Sequence, residues 1–192
     1  ALHILAKYPS DEPSLQQEEV SLARLLLSFG ADVSIKDNSG KTVIDYTEEE
    51  DDPVMLDVLI RATETRKDFI QAVTDGKVES VKQLIKQGAP VNTIMDGWMY
   101  IRRPLHFAID NSISYVQEVE IDNSISYNVV YDTGVLEALL AAPNIDVNAL
   151  DNTKTALHIA ARHKDLELVR ILLKSPKINV NIQDRGTREA VS

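Results

Sequence analysis

The sequence contains no cysteine, and aromatic residues make up only 5% of its 192 residues. Without cysteine the chain has no disulfide framework and no thiolate chemistry, which suits a reducing compartment. No apolar run approaches the about 20 residues that cross a bilayer, and the chain does not open with the basic and apolar segments of a signal peptide. We therefore expect a cytoplasmic protein without a membrane-spanning helix.

Positive charge is also scarce. The chain has 20 Lys and Arg residues against 30 Asp and Glu residues, which gives a net charge of −10. This charge opposes non-specific attraction to nucleic acid and to anionic membrane surfaces. We therefore expect a protein partner, with a basic protein as one option, and neither nucleic acid nor membrane.

Motifs for catalysis are missing as well. The sequence has no phosphate-binding glycine loop and no G-x-S-x-G segment. Three of the four histidines, His3, His106 and His158, follow a leucine in an apolar segment and are expected to be packed structural residues. His163 lies five residues after His158, off a shared helix face, so the pair does not indicate a metal site. The sequence predicts no catalytic residue, no cofactor and no metal, and therefore no enzyme.

A period of 33 residues organises the chain. Asn148 recurs as Asn181, and Asp151 recurs as Asp184. Within this unit an apolar run opens at Thr155, and after a polar break leucine and valine recur at helical spacing. The pattern predicts two short antiparallel helices joined by a tight turn, followed by a polar connection to the next unit.

This unit resembles the ankyrin repeat, whose pattern runs D-x-x-G-x-T-P-L-H-x-A-A and then V-x-x-L-L-x-x-G-A-x-V-N. Further segments match the pattern in the right order: ALHILA (Ala1–Ala6), VSLARLLLSFGADVSIKDNSGKT (Val20–Thr42), VKQLIKQGAPVN (Val81–Asn92), RPLHFAI (Arg103–Ile109) and VLEALLAAPNIDVNALDN (Val135–Asn152). The resemblance implies an all-α solenoid of about five helix-turn-helix units with short β-hairpin fingers. The units are 1–36, 37–66, 67–93, 94–150 and 151–183, with a sixth opening at Asp184, and the chain resembles a piece of a longer protein.

The resemblance also implies roles for individual residues. In the family, the Thr and His of the T-P-L-H segment tie neighbouring loops together by hydrogen bonds, as Thr155 and His158 can do here. His106 lacks that Thr because Arg103 stands in its place, and Asp45 replaces the His of unit 2. We expect these two units to be locally weaker.

Unit 2 departs from the pattern at its end. Gly30 and Gly88 open the G-A-x-V segment of units 1 and 3, where a helix C-terminus needs a left-handed residue. Unit 2 has no such segment. The sequence therefore predicts that no hairpin follows unit 2, and that the stack is kinked or divided into two blocks at Thr63–Lys67. We therefore divide the chain into 1–66 and 67–192, within one continuous stack.

Two loops are longer than the pattern requires. In unit 1 the segment YPSDEPSLQQEE (Tyr8–Glu19) contains proline and acidic residues and is predicted to be a surface loop. In unit 4 the finger before Pro104 is lengthened and contains the chain's only tryptophan, Trp98.

A second insertion of about nineteen residues separates the two helices of unit 4. It contains the segment IDNSISY twice, at Ile109–Tyr115 and at Ile121–Tyr127. Alternating β-branched and aromatic residues on both sides of Asp122-Asn123 favour a β-hairpin. The alternative is an extended first helix followed by a disordered loop.

These insertions supply the predicted partner-binding residues. Tryptophan, tyrosine and arginine are the residue types enriched at binding hot spots. The predicted contact residues are Trp98, Met99, Tyr100, Arg102, Arg103, Tyr115 and Tyr127. The alternative is that Trp98 folds back and packs on the neighbouring unit.

Asn148 is a candidate for modification. The segment LAAPNIDVN (Leu140–Asn148) matches L-x5-[DE]-V-N, which resembles the preferred site of asparaginyl hydroxylases that act on ankyrin arrays. The alternative is that Asn148 only closes its hairpin, as Asn92 and Asn181 do.

The resemblance implies a protein–protein interaction scaffold, expected to be a monomer, that binds its partner through the fingers and a concave groove. The alternative is a substrate-targeting array of a larger enzyme, such as a bacterial effector, whose catalytic domain lies outside this chain. In that case the location would be the cytoplasm of a host cell.

Overall fold

A computed structural model describes residues 1–10, 12–95, 102–121 and 124–184, without the side chains of Pro13 and of residues 113–131. In these residues the chain forms nine helices and two strands. The helices are α1 (Leu2–Lys7), α2 (Pro13–Ser28), α3 (Val43–Glu49), α4 (Pro53–Thr74), α5 (Val78–Lys86), α6 (Pro104–Asn111), α7 (Gly134–Leu140), α8 (Ala156–Arg162) and α9 (Leu166–Leu173). The strands are β1 (Ile113–Ile121) and β2 (Ser124–Tyr131). The predicted all-α repeat architecture is confirmed, and no helix among the described residues has the length and apolarity to cross a membrane.

The helices pair and stack as repeats do. Each unit pairs a first helix with a second one, as α1 with α2, α6 with α7 and α8 with α9. First helices also pack on first helices, α1 on α3 and α6 on α8, while the second helices α5 and α7 pack on each other. Contacts of this kind, between neighbouring units only, define a solenoid.

Helix α4 takes the place of two helices. It begins at Pro53, where the Asp52 carboxylate accepts hydrogen bonds from the backbone N–H groups of Val54 and Met55 at 3.0 and 2.9 Å. It then runs for 22 residues, without interruption through 63–67. The predicted absence of a hairpin after unit 2 is confirmed, because the second helix of unit 2 continues directly into the first helix of unit 3.

Two hydrophobic cores flank the middle of α4. The first joins buried side chains of α1, α2, α3 and the beginning of α4, where Leu59 is fully buried. The second joins the end of α4 to α5 through α9, with Phe69 fully buried. Each such side chain contributes roughly 1.5–3 kcal/mol by its burial. The division of the chain into 1–66 and 67–192 stays a prediction.

The predicted surface loop of unit 1 is wrong over its second half. Helix α2 starts at Pro13, so residues 13–19 form its first turns. Proline marks loops but is also favoured at the first helical position, where its fixed φ suits the helix and its missing N–H costs nothing. The Glu19 carboxylate accepts a hydrogen bond from the Ser10 N–H at 3.1 Å and so holds the preceding segment against the helix.

The doubled segment forms the predicted β-hairpin. Strands β1 and β2 are antiparallel, with Val116 opposite Val129 and a bulge between Ile113 and Tyr115. The alternative of an extended helix with a disordered loop is therefore wrong. The turn predicted at Asp122-Asn123 lies outside the described residues.

The hairpin is an insertion between two helices that still pack as an ordinary repeat pair. Ser112 follows the last residue of α6, and its carbonyl accepts a hydrogen bond from the Asp132 N–H at 3.1 Å, which closes the base of the hairpin. Helix α7 starts two residues later and still packs on α6. Its first residue, Gly134, permits the close approach to α5, because a Cβ there would lie 2.6 Å from Val78 Cγ2.

Both predicted left-handed glycines are confirmed. Gly30 has a φ of +88° and Gly88 a φ of +89°, each just after a second helix. A Cβ is strained at such a φ, so glycine is the residue that ends these helices and starts the loops that follow.

Candidate partner-binding surface

Polar loops connect the units, except units 2 and 3, which helix α4 joins, and these loops lie side by side. We call the segments 29–42, 88–103, 141–155 and 174–184 the finger loops. In the long finger loop 88–103, the N–H of Met95 donates to the carbonyl of Arg102 at 2.7 Å. This bridge holds the two sides of the loop together, as in the short hairpin of the repeat pattern.

An asparagine side chain ties one finger loop to the next. Asn92 Nδ2 donates to the Asn144 carbonyl at 2.6 Å, and Asn92 Oδ1 accepts from the Asp146 N–H at 2.8 Å. We call such a two-bond contact an asparagine clasp. Each bond contributes roughly 0.5–1.5 kcal/mol, and the pair fixes the spacing of the two loops.

Asn148 makes the same clasp one unit later. Its Nδ2 donates to the Lys177 carbonyl at 2.8 Å, and its Oδ1 accepts from the Asn179 N–H at 2.8 Å. The amide therefore has a structural task between units, which is consistent with the alternative that Asn148 closes the loop as Asn92 does. Its hydroxylation stays a prediction.

Arg103 links its own finger loop to the next one. Its Nε donates to the Leu150 carbonyl at 3.3 Å, and its Nη1 donates to the Asn92 carbonyl. The guanidinium group therefore takes over the loop contact that the threonine of the repeat pattern would make. Its part in binding a partner stays a prediction.

His106 lies under this arginine in the core. Its side chain is fully buried, and its Nε2 lies 3.2 Å from the Lys154 carbonyl in the next finger loop. Its Nδ1 has no hydrogen-bond partner among the described residues. Burial lowers the pKa of His106 to about 4, so the imidazole is neutral at pH 7.

His158 in unit 5 differs because the threonine is present. Thr155 Oγ1 lies 2.7 Å from His158 Nδ1, and the two residues form a capping box at the start of α8. The predicted tie from this pair to a neighbouring loop is not seen among the described residues, where their hydrogen bonds stay within the helix cap. Such a tie is made instead by His106, and by His3 to the Ile35 carbonyl at 2.9 Å.

A charged cluster joins units 4 and 5 beside the finger loops. Asp110 at the end of α6 contacts Arg102 Nη2 at 3.0 Å and His163 Nε2 at 3.1 Å. The Asp110 side chain is 20% exposed, so the pairing is better shielded from water than a surface ion pair. Burial raises the pKa of nearby Asp151, although the charges of Arg102 and Arg103 oppose this.

The structure tests the placement of only some predicted contact residues. Trp98, Met99 and Tyr100 lie outside the described residues. Tyr115 lies in β1 and Tyr127 in β2, opposite Glu118. Arg102 and Arg103 are held by contacts within the chain. The partner-binding assignment of all seven residues stays a prediction.

Some residues of this surface were not predicted. Asp110 and His163 carry no sequence motif, and their meeting depends on how α6 and α8 pack. The sequence indicated that Asn92 closes its hairpin, but not that its side chain reaches the next finger loop. No group of three or more potential metal ligands occurs in the part of the chain that the structure describes.

The sequence matches a family model for ankyrin repeats in three copies, over residues 69–184. The match begins in the second half of α4 and covers the second core with its finger loops. These residues make up more than half of the chain. The chain therefore belongs to the ankyrin repeat family. None of the curated proteins matches it. Ankyrin repeats are generally protein–protein interaction modules, and the function predicted from the sequence agrees at that level.

Proposed function

We propose that this chain is a scaffold that binds a protein partner through its finger loops and the groove that its first helices line. The observation that carries the proposal is the row of finger loops 88–103, 141–155 and 174–184, which asparagine clasps fix to one another. A surface ordered before binding loses little conformational entropy on association, so a larger part of the contact energy appears as affinity. Arg103 and the Asp110 cluster strengthen the same row.

The β-hairpin of unit 4 supplies a second contact in this proposal. Strands β1 and β2 pair only with each other among the described strands, so each keeps an outer edge of free backbone groups. Such an edge accepts an added strand from a partner, which gives affinity through main-chain hydrogen bonds. Tyr115 and Tyr127 lie in these two strands, and they are the residues predicted to contact the partner there.

The remaining features of the proposal follow from charge and composition. The net charge of −10 favours a basic partner surface and disfavours nucleic acid and anionic membranes. We propose a monomer with no catalytic role of its own and no cofactor. The cytoplasmic location, the targeting array of a bacterial effector and the cytoplasm of a host cell stay predictions.

Excision of the hairpin tests the proposal. The chain is used as bait for a protein partner, and the dissociation constant is measured for the wild type and for a variant in which two glycines replace residues 113–131. The base of the hairpin is closed by the Ser112–Asp132 bond, so the helices are expected to keep their circular dichroism spectrum. We expect binding to weaken at least about tenfold.

The finger loop is tested by replacing Trp98 and Tyr100 with alanine. We expect a loss of about 2 kcal/mol in binding at an unchanged melting temperature. The control replaces Glu79 and Lys82 with alanine, since these form an exposed ion pair on α5, away from the finger loops. If neither test variant binds more weakly than this control, or if stability falls while binding per folded molecule holds, the proposed surface is wrong.

A further inference from the structure

A cavity of about 440 Å³ lies where the two cores meet. Its walls come from the end of α2 with the finger loop that follows, from the middle of α4, and from the loop after α5. The volume falls in the range of roughly 300–1,000 Å³ of ligand pockets. We call this cavity the junction pocket.

The missing hairpin of unit 2 explains why the pocket exists. Ala31 and Val33 line it from the G-A-D-V segment of unit 1, and Gly88 and Pro90 line it from the G-A-P-V segment of unit 3. A third such segment, from unit 2, would lie between them in a regular array. The pocket therefore takes the place of the segment that unit 2 lacks.

Three arginines surround this apolar space, although the chain as a whole is acidic. Arg24, Arg61 and Arg66 all line the pocket. Arg24 is exposed and has no hydrogen bond or ion pair with any described residue. Arg66 donates to Thr93 Oγ1 and to the Ile94 carbonyl, both at 2.7 Å, which fixes its guanidinium group at the rim.

Acidic side chains near the pocket leave part of this charge available. Arg61 pairs with Asp57 at 2.8 Å, but the two side chains are 72% and 54% exposed, and such a pair exchanges partners at little cost. The Asp32 carboxylate accepts hydrogen bonds from the backbone N–H and the hydroxyl of Ser34, and it also interacts with the charge of Arg66, so the carboxylate site depends on Arg24 and Arg61.

We propose that the junction pocket binds an acidic peptide segment of a partner protein, with one carboxylate flanked by small aliphatic side chains. Leu27 and Val58 receive the aliphatic side chains, and Arg24 with Arg61 binds the carboxylate, since a guanidinium group matches a carboxylate with two parallel hydrogen bonds. The walls of this site include residues of the finger loops 29–42 and 88–103, but removal of the hairpin leaves them in place, so this proposal and the proposed function can fail separately.

Peptides that reproduce the missing segment test the proposal. The probe is a fluorescein-labelled Gly-Ala-Glu-Val-Asn peptide, and the matched peptide carries lysine in place of glutamate. We expect the glutamate peptide to bind at least about tenfold more tightly by fluorescence polarisation. The variant Arg24→Glu should weaken its binding and improve that of the lysine peptide.

Two further variants locate the site. Arg170→Glu on α9 changes the net charge as Arg24→Glu does, but far from the pocket, and should leave binding unchanged. Thr65→Phe should fill the pocket and abolish binding, with melting curves to show that the chain stays folded. The proposal is overturned if both charge variants weaken binding equally, if the two peptides bind alike, or if the folded wild type does not bind the glutamate peptide at about 1 mM. The variant without residues 113–131 should bind it normally.

Discussion

The two ends of helix α4 belong to two blocks of repeats, which differ in how completely their hydrophobic side chains are covered. We call residues 1–62 the N-terminal block and residues 69–184 the C-terminal block. Each has helix pairs around its own core, but the ankyrin family model matches only the second. Among the described residues, nine of the thirteen large exposed hydrophobic side chains lie in the shorter N-terminal block. The same repeat pattern thus gives a less completely covered block at that end.

The loops show the same contrast. In the C-terminal block Asn92 and Asn148 clasp the next finger loop, whereas Ser34 stands at that position in the N-terminal block. The Ser34 hydroxyl donates to Asp32 at 2.6 Å within its own loop and reaches no neighbouring unit. A block with fewer contacts between units opens at a lower free energy, because a solenoid is stabilised unit by unit. We expect the N-terminal block to open first.

Core substitutions in the two blocks should have the largest effects and should separate them. Leu59 and Leu136 are both fully buried, one in each core. Replacing either with alanine should cost about 3–5 kcal/mol in its block. With Leu59→Ala, hydrogen exchange should accelerate in residues 1–62 and stay slow in residues 69–184, whereas Leu136→Ala should accelerate exchange in the C-terminal block. If both variants expose the whole chain equally, the blocks are one cooperative unit.

Helix α4 is the connection between the blocks, and breaking it should have the next largest effect. Thr63 lies in its middle, with its hydroxyl donating to the Leu59 carbonyl at 2.9 Å. Thr63→Pro removes a helical hydrogen bond and should cost about 3 kcal/mol. We expect calorimetry to show two separate transitions. Thr63→Ala, the control, should melt like the wild type, and a single transition in the proline variant would contradict the role of α4 as the coupling element.

The sequence predicted the parts of the molecule that local patterns determine. The missing G-A-x-V segment after unit 2 indicated that no hairpin follows there, and alternation indicated the hairpin of β1 and β2. The surface loop predicted over the first turns of α2 was wrong, because proline favours both loops and first helical turns. The Arg102–Asp110–His163 cluster and the junction pocket could not be predicted, because they depend on the distances between packed helices rather than on any one segment.

The buried His106 predicts a pH dependence for the stability of the C-terminal block. The pKa of His106 is about 4 in the folded chain, against its ordinary 6.5. The unfolded chain therefore binds more protons below pH 6.5, and stability is full above that pH and falls as the pH drops toward 4. From about pH 7.5 to about pH 5 the loss is about 2 kcal/mol.

The measurement is the free energy of unfolding of the C-terminal block by urea at both pH values. His106→Gln removes the titrating group, so this variant should lose about 2 kcal/mol less than the wild type over the same interval, whatever its stability at neutral pH. An equal loss in both proteins would show that His106 does not couple protonation to unfolding.

The smallest expected effect concerns the asparagine clasps, and the chain contains its own control. Asn92 and Asn148 make equivalent clasps, but Asp146 precedes V-N at Asn148, where Pro90 stands before Asn92. Replacing either asparagine with alanine should cost about 1–2 kcal/mol, because two hydrogen bonds are lost at a partly exposed site. After exposure to an asparaginyl hydroxylase of the kind that acts on ankyrin arrays, mass spectrometry should find an added oxygen at Asn148 and none at Asn92. An unmodified Asn148 would leave it with the clasp as its only role, and equal modification at both sites would show that Asp146 does not direct the enzyme.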